Sequence, residues 1–327
     1  MNSVLLGARD TLHLVYPPET REALAVDLTL NKDELEAHRE ELKDIRVIFS
    51  TWTMPALSEE EIARYFPNLE AVFYAAGSVQ YFARPFLKRG VRVFSAWGAN
   101  GVPVAEFTLA QILLANKGFF QLSRLYSGGD RQSRQTLGID FPGNYNCKVG
   151  LIGAGMIGKL VIELLRRHHL EIQVFDPFLP DEQAAQLGVQ KVDLPTLFTE
   201  CQTVSNHLAN NAQTVGMLNY DLFKLLRPGA TFINTGRGAQ VVEADLCRLL
   251  RERPDVVALL DVTEPEPSPE GHAFYSLPNV VLTPHIAGSI GQEVQRLSAY
   301  MAEEYARFAA GEPCRWEVSE AMLTTMA

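Results

Sequence analysis

Arginine, carboxylate and histidine side chains follow three successive apolar runs in the second half of the chain. Arg237 lies between glycines after TFIN, His285 follows NVVLTP, and the run VALL between them is followed by Asp261, Glu264 and Glu266. A guanidinium group can bind a carboxylate through two parallel hydrogen bonds. A histidine at a strand end can titrate near neutral pH, and a neighbouring carboxylate keeps its imidazole charged and oriented. Each residue alone is more often structural, but together they predict acid–base chemistry on a substrate that carries a carboxylate.

A glycine triplet precedes these residues, at the junction of an apolar run and an amphipathic stretch. Gly153, Gly155 and Gly158 form GAGMIG between the predicted strand KVGLI and the predicted helix KLVIELL. In a dinucleotide-binding turn such glycines permit the tight turn, the approach of a pyrophosphate, and close packing of helix on strand. Asp176 ends the next predicted strand 18 residues after Gly158, where a carboxylate can bind the ribose hydroxyls of adenosine. The pattern predicts NAD rather than NADP, because no arginine follows Asp176; the alternative is a structural turn in another kind of α/β domain.

Short β-branched or aromatic runs alternate with amphipathic stretches along the chain, a pattern typical of parallel strands linked by helices. The runs before the glycine triplet are VIFS (47–50), AVFYAA (71–76) and VRVFSA (91–96). Two long helices are predicted, from about Val104 to Leu122 and from Gln292 to Ala310, the second ended by Gly311. Residues 123–146 lose this periodicity, which predicts an irregular connection that forms an arm across a subunit interface.

The position of the glycine triplet predicts two domains, because about 145 residues precede the strand that leads into it and are enough to form a domain of their own. We expect an α/β protein of two doubly wound domains. A Rossmann coenzyme domain of residues 101–289 would be inserted into a smaller, flavodoxin-like substrate domain of residues 1–100 and 290–327. The substrate is expected in a cleft between the two domains.

Composition narrows the range of partners and compartments. The formal charge of −10 arises from 39 acidic and 29 basic residues without a dense basic run, which argues against nucleic acid as a partner. No apolar stretch reaches membrane-spanning length, and the short N-terminal run meets Arg9 too early for a signal peptide. The cysteines are too far apart in sequence for a metal site or a disulfide scaffold, so we expect reduced thiols, no metal and a cytoplasmic location. They are Cys147, Cys201, Cys247 and Cys314.

Three segments after the glycine triplet, INTGRG, DVTEPEP and TPHIAG, occur in the order found in one known family. The chain resembles the D-isomer-specific 2-hydroxyacid dehydrogenases over nearly its whole length. The resemblance implies that Arg237 orients the substrate, that His285 is the acid/base and that Glu266, rather than Glu264, is its carboxylate partner. It also implies a likeness of AAGSVQ, at residues 75–80, to the family's substrate loop, where Ala76, Gly77 and Ser78 would direct backbone N–H groups at the substrate carboxylate.

The same resemblance implies the remaining contacts. Asn100 and Val104 would lie near a hinge, and either Trp52 or Trp97 would line the side-chain pocket if it is not simply packed in the core or rim. The further residues placed near the coenzyme are Met156, Ile157, His207, Thr235, Gly236, Asp261, Ala287 and Gly288.

The implied activity is hydride transfer between NAD(H) and a small 2-oxo acid or D-2-hydroxy acid, as in glyoxylate or hydroxypyruvate reductases, by a homodimer without membrane partners. Gly236 and Thr263 depart from the alanine or serine and the aromatic residue usual in the family, which affects substrate identity more than activity. The chain's end at Ala327 leaves no room for a regulatory domain, which disfavours a long-form phosphoglycerate dehydrogenase. The alternatives are a non-enzymatic NAD(H) sensor related to corepressors and a relative that acts on formate or phosphite.

Overall fold

The apolar runs of the first hundred residues form parallel strands that alternate with short helices. The computed structural model describes residues 2–26 and 28–324. The first strands are β1 (Ser3–Leu6), β2 (Thr29–Leu30), β3 (Val47–Ser50), β4 (Ala71–Tyr74) and β5 (Arg92–Ser95). The helices between them are α1 (Arg9–Val15), α2 (Pro18–Ala23), α3 (Arg39–Leu42), α4 (Glu59–Tyr65) and α5 (Ala83–Lys88).

The middle of the chain has longer strands and helices. Its helices are α6 (Trp97–Ala115), α7 (Phe119–Ser127), α8 (Ser133–Leu137), α9 (Met156–Leu165), α10 (Asp181–Leu187), α11 (Leu194–Glu200), α12 (Tyr220–Phe223) and α13 (Glu243–Glu252). Its strands are β6 (Tyr145–Ile152), β7 (His169–Phe175), β8 (Gln190–Lys191), β9 (Thr203–Asn206), β10 (Thr231–Asn234), β11 (Val257–Leu260) and β12 (Val280–Leu282). The chain then ends with α14 (Val294–Ala310) and β13 (Glu317–Val318).

Residues up to Asn100 and residues from Ser289 onward form one unit around a six-stranded sheet. The strand order is β13-β5-β4-β3-β1-β2, with only β13 antiparallel. Strands β1, β3 and β4 are buried along their whole length, as expected for a parallel sheet covered on both faces. Phe73 stacks on Phe94 with ring centroids 4.6 Å apart and lies 5.4 Å from Phe49, which gives one of the two faces an aromatic core.

Residues 101–288 form the second unit around a seven-stranded, wholly parallel sheet. Its order is β12-β11-β10-β9-β6-β7-β8, so the strand order reverses beside β6, as in dinucleotide-binding folds. The predicted α/β class with two doubly wound sheets is therefore confirmed. The roles of the two units, and the predicted cleft, stay predictions. The substrate domain is predicted to include residues 290–327, of which residues 325–327 lie outside the described part of the chain.

Asn100 and Ser289 lie where the chain leaves and re-enters the first unit. The side-chain Oδ1 of Asn100 accepts a hydrogen bond of 3.0 Å from the backbone N–H of Ser289. This hydrogen bond therefore joins the last residue of the unit's first segment to the first residue of its second segment. The expected hinge near Asn100 and Val104 stays a prediction.

The structure corrects two predicted elements. The helix expected from about Val104 to Leu122 is two helices, α6 and α7, because the left-handed backbone of Gly118, with φ of 67°, interrupts it. The segment 123–146, expected to be irregular, contains the end of α7, the helix α8 and the start of β6. The predicted end of the last helix is confirmed, since Gly311 caps α14 in the left-handed conformation. Within the described residues, every helix is too short or too polar to cross a membrane.

Candidate active site

Five neighbouring strands of the second sheet end at the same level. Ile152, Asn206, Asn234, Leu260 and Leu282 are register partners at the carboxyl ends of β6, β9, β10, β11 and β12. The residue after each strand therefore lies on one edge of the sheet, where ligands bind in doubly wound folds. These residues are Gly153, His207, Thr235, Asp261 and Thr283.

The glycine turn between β6 and α9 contains two glycines that the fold requires and one that it does not. Gly153 has φ of 96°, and a Cβ there would lie 2.8 Å from the carbonyl oxygen of His207. A Cβ at Gly158 would lie 2.1 Å from the carbonyl oxygen of Gly153. A Cβ at Gly155, which precedes the first turn of α9, would meet nothing within 4 Å. Open space over a helix N-terminus fits the approach of an anion such as a pyrophosphate, with Met156 and Ile157 in the first turn beneath it.

Asp176 follows β7 and joins the glycine turn to the next loop. Its Oδ2 accepts a hydrogen bond of 2.7 Å from the N–H of Ala154, and its Oδ1 accepts one of 2.8 Å from the N–H of Phe178. Each carboxylate oxygen can accept a second hydrogen bond, so the half-buried side chain can still bind ribose hydroxyls. The exposed ring of Phe178 lies on the same loop. The residues present therefore fit the adenosine half of a dinucleotide.

His207 lies against the glycine turn as a buried, neutral imidazole. Its Nε2 is 2.9 Å from the hydroxyl of Ser205, and its backbone carbonyl faces Gly153. Burial lowers the pKa of His207 to about 4. The imidazole is therefore uncharged at neutral pH and adds no positive charge to the anion site.

His285 and Glu266 form a pair at the edge of the sheet. The Nδ1 of His285 is 2.7 Å from Oε1 of Glu266, and the two side chains are 46% and 40% exposed. Of the two candidate glutamates, the structure thus pairs Glu266 with the histidine. The backbone N–H of Glu264 is instead bonded to Glu243. A carboxylate at Nδ1 directs the Nε2 edge of the imidazole outward, where it can exchange a proton with a ligand.

Asp261 holds the backbone that carries His285. Its carboxylate, 2% exposed, accepts hydrogen bonds of 2.9 Å from the N–H groups of Ile286 and Ala287 and one of 2.5 Å from the hydroxyl of Thr283. The backbone of His285 is left-handed, with φ of 54°, a conformation that costs a residue other than glycine about 1–2 kcal/mol. Asp261 therefore offsets strain in the loop; its predicted contact with the coenzyme stays a prediction.

Arg237 rests on a cluster of buried amides that the sequence analysis missed. Gln240 Oε1 accepts hydrogen bonds from the Asn206 side chain at 2.6 Å and from the Arg237 N–H at 3.3 Å. Asn234 Nδ2 donates to the carbonyl of Arg237 at 3.1 Å. Burial lowers the pKa of Arg237, and the charge of Glu266 opposes that shift. The sequence signal that could have revealed this cluster is the asparagine at the end of each of the apolar strands TVSN and TFIN. The structure places these two asparagines in register on adjacent strands.

The amide cluster gives a physical reason for Gly236, which departs from the usual alanine or serine. A Cβ at Gly236 would lie 3.0 Å from both Asn206 Nδ2 and Gln240 Oε1. Its neighbour Thr235 is buried, with its hydroxyl 3.3 Å from that of Thr108. The predicted Ala287 and Gly288 follow on the loop that Asp261 holds.

In the first unit, the loop after β4 presents two backbone amides rather than three. The N–H of Ala76 donates to the carbonyl of Tyr74 at 2.9 Å, whereas those of Gly77 and Ser78 have no partner among the described residues. The hydroxyl of Ser95 lies 2.9 Å and 2.5 Å from the carbonyl oxygens of Ala76 and Gly77. Because a trans peptide directs its C=O and N–H in opposite directions, the amides of Gly77 and Ser78 point away from Ser95. Two amides aimed one way can bind a small anion.

The two tryptophans considered for the side-chain pocket differ in their surroundings. Trp97 packs edge-on against Trp316 with ring centroids 5.0 Å apart, whereas Trp52 is 43% exposed. Packing thus accounts for Trp97. A role for Trp52 in a side-chain pocket stays a prediction.

Comparison with known proteins points to one family. Residues 109–287 match the family model described as "D-isomer specific 2-hydroxyacid dehydrogenase, NAD binding domain". The chain is 29% identical over 282 residues to D-3-phosphoglycerate dehydrogenase of Archaeoglobus fulgidus, covering 79% of this chain but only 53% of that protein. It is 28% identical over 295 residues to glyoxylate reductase of Korarchaeum cryptofilum, covering 88% and 87% of the two chains.

The likeness to solved structures concerns the fold. A phosphoglycerate oxidoreductase from Rhizobium etli superposes with a TM-score of 0.81 at 22% identity, over 98% of this chain and 99% of that one. The structure of D-2-hydroxyisocaproate dehydrogenase gives 0.78 at 20% identity, over 97% and 99%.

The glycine turn yields a paired prediction. Gly158→Ala places a Cβ against backbone, so both the free energy of unfolding and NADH affinity should fall, the former by about 1–3 kcal/mol. Gly155→Ala meets open space, so it should cost less than about 1 kcal/mol of stability yet weaken NADH binding at least tenfold. Urea unfolding and NADH fluorescence titration measure the two quantities. Unchanged NADH affinity in Gly155→Ala would contradict the assignment of the turn.

Buried His207 should make stability depend on pH. Its folded pKa of about 4 lies below the ordinary value of 6.5, so the unfolded chain binds the extra proton first and stability falls as the pH drops through that window. Between pH 7.5 and 5 this group alone should remove about 2 kcal/mol. His207→Gln should lose less stability than the wild type over this range, in urea titrations at both pH values. Exposed His169→Gln serves as the control, and an equal pH dependence in wild type and His207→Gln would refute the argument.

Proposed function

Because the chain belongs to the D-isomer specific 2-hydroxyacid dehydrogenase family, we propose that it transfers a hydride between NAD(H) and a small 2-oxo acid or its D-2-hydroxy acid. The observation that carries the proposal is the 2.7 Å contact between His285 and Glu266. It occurs on the sheet edge that also bears the glycine turn and Arg237, and all of these residues lie in the unit that matches an NAD binding domain, which supports His285 as the acid/base and Arg237 as the carboxylate-binding group.

NAD would be held by the glycine turn and by Asp176. When bound, the reduced nicotinamide supplies the hydride that reduces the carbonyl carbon of a 2-oxo acid. The amide groups at the start of α9 would bind the pyrophosphate, and the carboxylate of Asp176 would bind the ribose hydroxyls. Asp176 disfavours the extra phosphate of NADP because the two negative charges would repel each other.

The substrate carboxylate would be bound by the guanidinium group of Arg237, and the amides of Gly77 and Ser78 would form a small-anion site in the first unit. Arg237 is suited to this because its guanidinium group is partly buried, offset by the charge of Glu266 and by a hydrogen bond of 2.8 Å from Nη1 to the carbonyl of Gly236, and an anionic ligand would lower the cost of burial further. The buried amides of Asn206, Asn234 and Gln240 would keep the arginine loop in place during binding.

His285 would donate a proton from Nε2 to the carbonyl oxygen during reduction and accept it back during oxidation. Glu266 would stabilise the imidazolium by accepting a hydrogen bond from Nδ1, which fixes the tautomer and the ring orientation. Asp261 would hold the strained backbone of His285, so the imidazole needs little rearrangement when the substrate arrives.

Within this class we propose a glyoxylate- or hydroxypyruvate-like substrate. The match to glyoxylate reductase covers most of both chains, which supports a small 2-oxo acid. We also propose a cytoplasmic homodimer. The four free thiols support the cytoplasmic location. The homodimer is supported by an apolar groove of about 550 Å³ between Leu114, Phe119 and Tyr126, three exposed side chains that a second copy could cover.

A spectrophotometric assay tests the proposed function. NADH oxidation by the purified protein should be observed with glyoxylate or hydroxypyruvate, and more weakly with pyruvate, phenylpyruvate and branched 2-oxo acids. The reaction with the best substrate should be slower with NADPH. If none of these acids is reduced while NADH still binds tightly, the enzyme assignment fails and a non-enzymatic NAD(H) sensor takes its place.

Arg237→Lys tests the substrate carboxylate site. Lysine keeps the charge but cannot form the two parallel hydrogen bonds, so kcat/KM for the best 2-oxo acid should fall on the order of 100-fold, equal to about 3 kcal/mol. NADH affinity should stay at the wild-type value, which serves as the internal control. Wild-type kcat/KM in Arg237→Lys would contradict the proposed role.

A further inference from the structure

The loop that carries Glu266 lies mostly in solvent. Residues 264–267 and 269–271 are exposed, and the described backbone forms no helix or strand from 261 to 272. Such a loop keeps one conformation only where the fold provides attachments, because ordering it costs conformational entropy. One attachment is the hydroxyl of Tyr275, which donates to the carbonyl of Ser268 at 2.9 Å.

A second attachment is made by one carboxylate that contacts the loop near both of its ends. Glu243 begins α13, and its side chain is only 13% exposed. Its Oε1 accepts a hydrogen bond of 2.8 Å from the N–H of Glu264, and its Oε2 lies 3.4 Å from Nε2 of His272. The bonded amide of Glu264 is two residues from the carboxylate that meets His285.

We infer that Glu243 is a positioning residue, which holds the loop 263–272 so that the carboxylate of Glu266 meets the imidazole of His285. This inference rests on the proposed function. The base of the loop also packs directly on the segment after Arg237, since a Cβ at Gly238 would lie 2.0 Å from the carbonyl carbon of Thr263. Glu243 therefore fixes Glu266 relative to a backbone that already contains the substrate-binding arginine.

The hydrogen bond to Glu264 requires an acceptor at Oε1 and not a negative charge. Burial raises the pKa of Glu243, the Glu264 N–H and the charge of His272 lower it, and the charge of Glu264 raises it further. Glutamine has the same length and keeps the acceptor without the charge. Aspartate keeps the charge but is one methylene too short to reach the amide, so the two substitutions separate reach from charge.

The experiment compares Glu243→Asp with Glu243→Gln in the reduction of the best 2-oxo acid. Glu243→Asp should lower kcat/KM by roughly 10- to 100-fold, because small misplacements of a reacting group have effects of that size. The loss should lie in kcat rather than in KM, because Arg237 is held separately by Gln240 and Asn234 and keeps its place. Glu243→Gln should stay within about threefold of the wild type, well inside the expected loss for Glu243→Asp.

Asp245→Asn is the matched control. Asp245 lies in the same helical turn and accepts a hydrogen bond of 3.0 Å from the N–H of Tyr220, but it does not hold the loop. Its substitution should leave kcat and KM at wild-type values. Hydrogen–deuterium exchange supplies a readout independent of turnover, in which residues 263–272 should exchange faster in Glu243→Asp alone.

The outcomes separate the inference from the proposed function. If the wild type reduces no 2-oxo acid, the proposed function fails, and with it the inferred role in positioning, whatever the exchange rates are. If the wild type is active and Glu243→Asp keeps its kcat, the inference alone is overturned. Equal losses in Glu243→Asp and Glu243→Gln would likewise overturn it, because charge rather than reach would then matter.

Discussion

The in-register ends of five parallel strands are the constraint from which the candidate site follows. Because β6, β9, β10, β11 and β12 stop at the same level, the residues after them must lie along one edge of the sheet. Groups that are 132 residues apart in sequence, Gly153 and His285, thereby belong to one surface. The chemistry can then differ from strand to strand while the scaffold stays rigid, which is how doubly wound sheets combine coenzyme and substrate binding.

The candidate catalytic and substrate-binding side chains depend on oxygen acceptors from neighbouring elements. Asp261 holds the loop of His285, Gln240 holds the loop of Arg237, and Glu243 holds the loop of Glu266. In each case a side-chain oxygen accepts a hydrogen bond from a backbone N–H of the neighbouring loop. The three acceptors lie at a strand end, in a helical turn and on a helix. A buried amide without a partner would be costly, so each loop is stable only where its acceptor reaches it.

The sequence predicts those features of the structure that a short continuous motif encodes, and it misses those that depend on contacts outside such a motif. Short motifs indicate the glycine turn and Asp176, which come directly after apolar strands, and also Arg237, Glu266 and His285, which follow such strands within six residues. The supporting acceptors Gln240 and Glu243 have no such motif, because each binds a backbone amide, three residues away for Gln240 and 21 residues away for Glu243, and a backbone amide carries no side-chain signal. The break at Gly118 was missed for a related reason: one left-handed glycine ends a helix whose apolar periodicity continues across it.

The empty space above Gly155 has a consequence for comparing relatives of this chain. Gly153 and Gly158 are required by the fold, so they would persist in a descendant that had lost its coenzyme. The fold does not require a glycine at position 155. In a descendant that no longer binds a coenzyme, substitutions to larger residues could therefore become fixed there. The residue type at position 155, compared with those at positions 153 and 158, would thus separate active dehydrogenases from descendants that retain only the fold.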